Sequence, residues 1–469
     1  MKNHIIAWRN LWRNRRRTLI TVASVFFALF FALVMRSFQL GTYDHMFRNV
    51  IESYTGYIQI QHEDFWDNKV VDNTFDWTRE LDDILTGLDN CSGTVPRFES
   101  FALASSGALT KGVIVMGIDP EKESLLSDTR GKLVKYRIDE SNYRVLEESL
   151  PEKYLRNLRL IKGNSYSSEG ALAADLGVAT EDTSAAIPFF RKYARFSNGY
   201  ISTGVPEALI GDKLAAFLRV RIGDTLILLG QGYHGTTAAG KYRINGIVKI
   251  PSPDLDNKIV YLPYDICQEL YNAPGMLTSL AAAIKDNDDN TIENMISAIG
   301  SEIAPPLKVL GWREMNKLMI NQMDADSKSG MIMIFILYMV IAFGIFGTVL
   351  MMTAERRREF GMLVAIGMQK AKLSVIVTIE MIYISIMGIG SGILAALPVI
   401  FYGNTNPIRF RGEMAKMYES YGMEAVMPCL LPDTYVIWQA VTVAVIIMIA
   451  LLYPLRKING MQVVNSLKA

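Results

Sequence analysis

The chain has 469 residues, of which 50% are apolar and 20% are charged. This length exceeds one ordinary domain, and the apolar content is higher than in a typical soluble enzyme, so we expect part of the chain to face lipid. The 48 basic and 47 acidic residues nearly cancel, which argues against nucleic-acid binding driven by bulk charge.

Residues 1–17 carry six basic side chains and no acidic one. Ile5, Trp8 and Trp12 recur at helical spacing with arginines between them. This pattern predicts a short helix that lies on the inner membrane surface with its aromatic rings at headgroup level. The helix could serve as a membrane anchor or as a lever that moves with the first span.

Four apolar runs are long enough to cross about 30 Å of hydrocarbon, which takes roughly 20 helical residues. They cover residues 18–38, 330–353, 373–401 and 435–455. The first run follows a basic stretch, as a signal peptide would, but no small-residue cleavage site follows it. We therefore interpret it as a retained anchor.

Residues 39–329, between the first two spans, have the pattern of an extracytoplasmic α/β domain. Its first portion, 39–105, and its last, 276–329, each run strand, helix, strand, which predicts that together they form a ferredoxin-like βαβ subdomain. The middle, 106–275, has short strands between Gly and Asp turns and predicts a second, mainly β subdomain. Within the middle portion, we expect residues 140–197 to be mobile or inserted loops.

The positions of Lys and Arg beside the spans predict the orientation. Basic residues cluster in 1–17, in 354–372 and in the tail 456–469, and four crossings place all three clusters on one side. Both termini are therefore predicted to be cytoplasmic. Residues 39–329 and the shorter connection 402–434 are predicted to lie on the outer side of the membrane.

Cys91, Cys267 and Cys429 fall on the predicted outer face, where disulfides can persist. An odd number leaves at least one thiol unpaired within the chain, and no CxxC pair occurs. We interpret most of them as buried free thiols.

The sequence contains no Walker phosphate loop, no HExxH motif and no evident Ser, His and Asp set. We therefore predict no catalytic, cofactor-binding or metal site in this chain. The run GIGSG at 388–392 lies inside an apolar helix, where small residues at every fourth position allow close helix packing. We assign Gly344, Gly388 and Gly392 to such packing.

Glu380 lies about two turns into the third span. An ionisable side chain at that depth is costly and suggests a function. Three roles are open: a structural polar pairing, a part in coupled motion, or proton transport.

Residues 354–372 place a charged stretch between two apolar runs. As a helix, the stretch has one face at spacings of three and four formed by Phe360, Leu363, Val364 and Gly367. Its first turn is crowded with charge at Glu355, Arg356, Arg358 and Glu359. Gly367 can end this helix and turn the chain into the third span. By composition alone, the stretch is interpreted as a positively charged interfacial loop.

Residues 355–380, ERRREFGMLVAIGMQKAKLSVIVTIE, resemble the signature of the FtsX-like and MacB-type permeases of the ABC superfamily. The matching positions are Glu355, Arg356, Glu359, Gly361, Ala365, Gly367 and Glu380. Ile366 stands where Leu is usual. Further segments resemble the outer domain and the tail of this family, over nearly the whole chain except about 140–197.

This resemblance implies that the short cytoplasmic helix docks on a separate ABC ATPase, which binds the ATP and Mg²⁺, and transmits movement to the outer domain. The coupling residues that it implies are Glu355, Arg356, Arg357, Arg358, Glu359, Phe360, Gly361, Leu363 and Gly367. It also implies a dimer with a second permease, identical or paralogous. No nucleic-acid partner is expected.

Within this family, the layout of four spans, a large outer domain and a separate ATPase is similar to lipoprotein-releasing permeases of the LolC/LolE type. That similarity implies a lipoprotein cargo and a periplasmic carrier. Efflux of peptides or small molecules, as in MacB-type permeases, is the alternative. A membrane sensor that regulates a periplasmic partner is a third hypothesis, outside transport.

Overall fold

The computed structural model describes residues 2–13, 15–177 and 183–460. The chain divides into two compact units. We call one the helical unit, which comprises Met1–His45, Asn321–Ile408 and Val426–Ala469. The other is the sheet unit, which comprises Met46–Ile320 and Arg409–Ala425.

The elements follow in chain order. The chain opens with α1 (Lys2–Arg13), α2 (Arg15–Val50), a π-helical turn (Ile51–Thr55), β1 (Ile58–His62), β2 (Phe75–Asp76), α3 (Arg79–Thr86), β3 (Cys91–Ser106) and β4 (Leu109–Ile118). It continues with β5 (Tyr136–Arg137), α4 (Glu140–Ser149), α5 (Glu152–Leu160), β6 (Ser165–Tyr166), α6 (Glu169–Leu176), α7 (Thr183–Tyr193), β7 (Glu207–Gly211), α8 (Asp212–Leu218), β8 (Thr225–Gln231) and β9 (Thr237–Val248).

The second half begins with α9 (Pro253–Asp256), β10 (Ile259–Pro263), α10 (Tyr264–Tyr271), β11 (Met276–Leu277), β12 (Ser279–Ile284), α11 (Asp289–Glu302), β13 (Leu307–Gly311) and α12 (Trp312–Met315). It ends with α13 (Lys317–Glu355), α14 (Arg357–Ala365), α15 (Lys370–Thr405), β14 (Ile408–Arg409), α16 (Glu413–Ser420), β15 (Val426–Met427) and α17 (Thr434–Asn459).

Four helices of the described chain, α2, α13, α15 and α17, are long and apolar enough to cross a membrane. The structure thus confirms the prediction of four apolar spans combined with a large α/β domain. The helix α2 has 36 residues, which at about 1.5 Å per residue is longer than roughly 30 Å of hydrocarbon. Both α2 and α13 therefore extend past the apolar runs that identify them.

Two glycines bring α15 close to α2. A Cβ atom at Gly388 would lie 2.5 Å from Cβ of Val25, and one at Gly392 would lie 3.2 Å from Cβ of Leu29. Both positions therefore allow the close helix packing assigned to them. At Gly344 a Cβ atom would meet nothing within 4 Å, so the packing role assigned to Gly344 finds no partner among the described residues.

In the sheet unit, β13, β1, β12 and β3 form an antiparallel sheet in that order. The helices α3 and α11 pack on one face, and their apolar side chains share a core with the strands. The strands β1 and β3 come from the start of the outer segment, and β12 and β13 come from its end. The strand order β13-β1-β12-β3 is that of a ferredoxin-like fold.

The strand β3 has 16 residues and leaves this sheet to enter a second one. Its later residues pair with β4 on one side and β8 on the other, and β10, β7 and β9 complete the circuit. These six strands close into a barrel, which removes exposed strand edges. Its interior is apolar, with Val115, Ile210 and Leu228 fully buried.

The described residues of 140–197 contain four helices, α4 to α7, so the prediction of loops for this segment is wrong, while its assignment as an insertion stays a prediction. The helices α4 to α7 surround an apolar core of their own that includes Leu146, Leu158 and Phe190. Polar residues between short apolar clusters hid this helical periodicity. Residues 178–182 lie outside the described part of the chain.

We expect Gly388→Ala to lower the free energy of unfolding by about 1–3 kcal/mol, because the added methyl group overpacks the contact with α2. Gly344→Ala is the matched control, since its methyl group enters open space and alanine favours a helix over glycine by about 1 kcal/mol. Denaturant unfolding of both variants in detergent measures the difference. Equal stability of the two variants would contradict the packing role of Gly388.

Candidate functional site

The helix α14 is amphipathic, and its apolar inner face packs into the helical unit. Phe360 is buried and Val364 is partly buried in the core of that unit. Met362, Leu363 and Ile366 point outward, with Ile366 86% exposed. The predicted common face of Phe360 and Leu363 is therefore split between core and solvent.

The end of α14 is a Schellman motif. The backbone N–H of Met368 donates to the carbonyl of Leu363 at 3.0 Å, and that of Gly367 donates to Val364 at 3.1 Å. Gly367 has a φ of 103°, which a residue with a side chain adopts only with strain. Gly367 thus ends the helix and turns the chain toward α15, as the sequence indicates.

Glu380 is 1% exposed and is fully paired. Arg356 donates from Nη1 to Oε2 at 2.5 Å and from Nη2 to Oε1 at 3.3 Å. Asn10 of α1 donates from Nδ2 to Oε1 at 2.7 Å. Since a buried carboxylate is costly unless it is hydrogen-bonded and paired, these two partners account for its position. The structural pairing is the role of Glu380 that this geometry supports.

Arg356 lies inside the helical unit instead of on its surface. Only 6% of the residue is exposed, and its guanidinium stacks over Phe360 at 5.0 Å from the ring centroid. A side chain so enclosed cannot be a docking contact itself. Arg356 lies between the end of α13 and the start of α14, where it is the counter-ion of Glu380.

The other charged residues that were predicted to couple the chain to an ATPase lie nearer to solvent. Glu359 is ion-paired with Arg13 of α1, and Glu355 is ion-paired with Arg17 at the start of α2. Exposed pairs of this kind contribute about 0–1 kcal/mol each. Arg357 is partly exposed and Arg358 is exposed, so these two are available to a partner.

Sequence reasoning missed Asn10, Met362 and Ile366. Asn10 is 370 residues from Glu380 in the chain, and no local pattern connects them. The signal for Asn10 was an amide side chain among the apolar side chains of α1. The signal for Met362 and Ile366 was their apolar character on the polar side of an amphipathic helix.

In the sheet unit, a buried polar cluster holds the π-helical turn that follows α2. Arg97 donates to the carbonyl of Tyr54 and pairs with Glu123, whose Oε2 is 3.2 Å from its Nε. Lys132 donates to Oγ of Ser53 at 3.1 Å. Burial lowers the pKa of Lys132 to about 8, which is the expected direction for a desolvated ammonium.

The outer surface of the barrel carries an apolar groove of about 550 Å³. Phe101 and Leu103 of β3 and Leu229 of β8 line it and are each about half exposed. Lys258 and Asp254 stand at its edge, 2.7 Å apart. Cys91, Cys267 and Cys429 are buried and free.

Among the described residues, no three His, Cys, Asp or Glu side chains come together in a group that could hold a metal ion.

Residues 331–463 match the FtsX-like permease C-terminal family. An ABC transporter permease of Methanocaldococcus jannaschii, the uncharacterized MJ1507, is 27% identical over 178 residues, which are 36% of this chain and 41% of that protein. The chain therefore matches well under half of the length of that relative. The predicted resemblance to FtsX-like permeases is confirmed for 331–463, while the LolC/LolE-type layout stays a prediction.

Two solved structures are similar to part of the chain. One is the periplasmic region of MacB from Actinobacillus actinomycetemcomitans, with 10% identity and a TM-score of 0.31 over 59% of this chain and 98% of that one. The other is the extracellular domain of the ABC-type transporter YknZ from Gram-positive bacteria, with 9% identity and a TM-score of 0.28 over 55% of this chain and 100% of that one.

We expect Glu380→Met to lower the free energy of unfolding by about 3–5 kcal/mol, because it removes the buried partner of the Arg356 guanidinium and leaves only the partly exposed Glu359, 3.6 Å from Nε, as a counter-ion. The double variant Glu380→Met with Arg356→Met removes both charges and should be more stable than the Glu380 variant. Denaturant unfolding of the parent, both single variants and the double variant in detergent completes the cycle. Additive effects of the two substitutions would show that the pair is not coupled.

Proposed function

We propose that this chain is the permease subunit of an ABC transporter and that it couples a separate ATPase to mechanical work outside the cytoplasm. The observation that carries the proposal is the construction of α14. One face is fixed in the helical unit by Phe360 and Val364, and the other presents Met362, Leu363 and Ile366 to solvent. The match of 331–463 to FtsX-like permeases supports the class.

In this proposal α14 and both termini are cytoplasmic and the sheet unit is extracytoplasmic, in the inner membrane of a bacterium. The ATPase binds ATP and Mg²⁺, and two of its subunits close on each other. One α14 serves one ATPase subunit, so the assembly contains a second permease, identical or paralogous. The chain itself hydrolyses nothing.

The polar contacts of Arg356 support coupled motion. Arg356 follows the last residue of α13, precedes the first residue of α14 and is bonded to Glu380 of α15. A displacement of α14 therefore acts on α13 and α15 through one buried ion pair. Buried pairs have two discrete states, paired or broken, which is the behaviour that a switching element needs.

We expect Ile366→Asp to abolish copurification of the ATPase with the tagged chain, because it places a charge in the centre of the proposed docking surface. Leu318→Asp is the matched control, since Leu318 is 83% exposed and Ile366 is 86% exposed, and Leu318 lies at the start of α13. The measurement is the ATPase activity recovered with each variant from detergent extracts.

Equal recovery with both variants would remove α14 as the docking element. Failure of the parent chain to bring down any ATPase would contradict the proposed function as a whole.

For the cargo, we propose a lipoprotein that the complex releases from the membrane. The groove on the barrel supports this choice, because its exposed phenylalanine and leucine side chains suit an acyl chain, and pockets of 300–1,000 Å³ are typical of small-ligand sites. Efflux of peptides or small molecules and regulation of a periplasmic partner remain the alternatives to test. No contact in the described chain specifically supports either of these two alternatives.

We expect Leu103→Asp to weaken capture of a triacylated lipopeptide by the purified chain at least tenfold, because a charge in the groove opposes an acyl chain. Leu160→Asp, at a leucine of comparable exposure in α5, is the control. Fluorescence anisotropy with acylated and unacylated forms of one labelled peptide measures the binding. If the unacylated form binds as tightly, the lipoprotein proposal falls and peptide efflux is favoured.

A further inference from the structure

The outer face of α1 combines apolar and basic side chains. Ile5 is 61% exposed, and Trp8 and Trp12 are each 45% exposed. On the same helix and at the start of α2, three exposed arginines form no ion pair within the described residues: Arg9, Arg15 and Arg16. Tryptophan and arginine together on a short amphipathic helix are typical of an element that binds an anionic membrane surface.

The inner face of α1 is fixed to α15. Leu11 is buried in the core of the helical unit, and Trp8, which borders both faces, meets Tyr383 edge-on with the ring centroids 5.6 Å apart. Asn10 lies on this inner side and donates to Glu380. The helix is thus held from within by apolar packing and by one part-buried hydrogen bond.

Glu380 also receives Arg356, so one carboxylate connects α1 with the start of α14. The exposed pair of Arg13 with Glu359 joins α1 to α14 near solvent, and the pair of Arg17 with Glu355 joins the start of α2 to the end of α13. A change in how α1 sits on the bilayer therefore reaches α14 through the part-buried link at Glu380 and through the exposed pair of Arg13 with Glu359.

We propose that α1 binds anionic lipid headgroups and that this contact sets the orientation of α14, with Asn10 and Glu380 as positioning residues. The partner is a lipid surface and not a free phosphate ion, because exposed Ile5, Trp8 and Trp12 would gain burial only at the acyl boundary. The proposal rests on the proposed function to the extent that α14 is the element on which the ATPase docks. Under this proposal, docking of the ATPase on α14 depends on the anionic lipid content of the membrane.

The test uses the full chain in nanodiscs of phosphatidylcholine, with or without phosphatidylglycerol, and no ATPase. Spin labels at His4→Cys on α1 and Ala365→Cys on α14 report the distance between the two helices; both positions are exposed, while the three native cysteines are buried. We expect a narrow distance distribution in anionic discs and a broad one in neutral discs.

Replacing Arg9, Arg15 and Arg16 by Gln should abolish this difference between the discs. Three exposed arginines of the sheet unit, Arg144, Arg156 and Arg221, replaced in the same way form the matched control and should leave the difference unchanged. Inorganic phosphate added to neutral discs should not narrow the distribution.

Asn10→Ala tests the link without leaving a buried charge unpaired, since Arg356 stays bonded to Glu380. We expect the distribution to stay broad in anionic discs, while the membrane depth of the label at position 4 still responds to phosphatidylglycerol. Identical distributions in both discs, narrowing by phosphate alone, or an unaltered Asn10→Ala variant would each overturn the proposal. Because the measurement contains no ATPase, its outcome is independent of whether Ile366 contacts one.

Discussion

The carboxylate of Glu380 is 1% exposed, and it dictates the arrangement around it. A carboxylate so completely buried needs a counter-charge and hydrogen bonds to its oxygens, since burial of an unpaired one costs several kcal/mol. Arg356 and Asn10 meet that requirement. This requirement explains why a charged stretch lies between two apolar runs. One of its arginines, Arg356, is buried as the counter-ion of Glu380, and the charged residues next to it in the chain lie near solvent.

The same requirement separates two kinds of charged contact around the start of α14. The pairs of Glu355 and Glu359 with arginines near the N-terminus are exposed, so salt and water weaken them. The pair of Glu380 is shielded from both. Stiffness between α1, α14 and α15 therefore depends on the buried pair, while the exposed pairs can exchange partners when another protein or a lipid surface approaches.

Local patterns predicted the parts of the structure that local physics decides. Four apolar spans, the glycine that ends α14 and the close approach at Gly388 follow from hydrophobic length, φ preference and residue size. The burial of Arg356 could not be predicted from a local pattern, because it depends on Glu380 and on the amide of Asn10, which is far away in the chain. Closure of the barrel was equally hidden, since the pairing of β3 with β8 joins segments more than a hundred residues apart, and short helices such as α4 and α5 gain their stability from a shared core.

A second buried ion pair stands where the chain leaves α2. Arg97 is 2% exposed, pairs with Glu123 and also holds the carbonyl of Tyr54 in the π-helical turn. Helix α2 has 36 residues and no proline, so it lacks the commonest cause of a kink. Because a buried guanidinium or carboxylate without a partner is costly, this pair fixes the π-helical turn against β3 within the sheet unit.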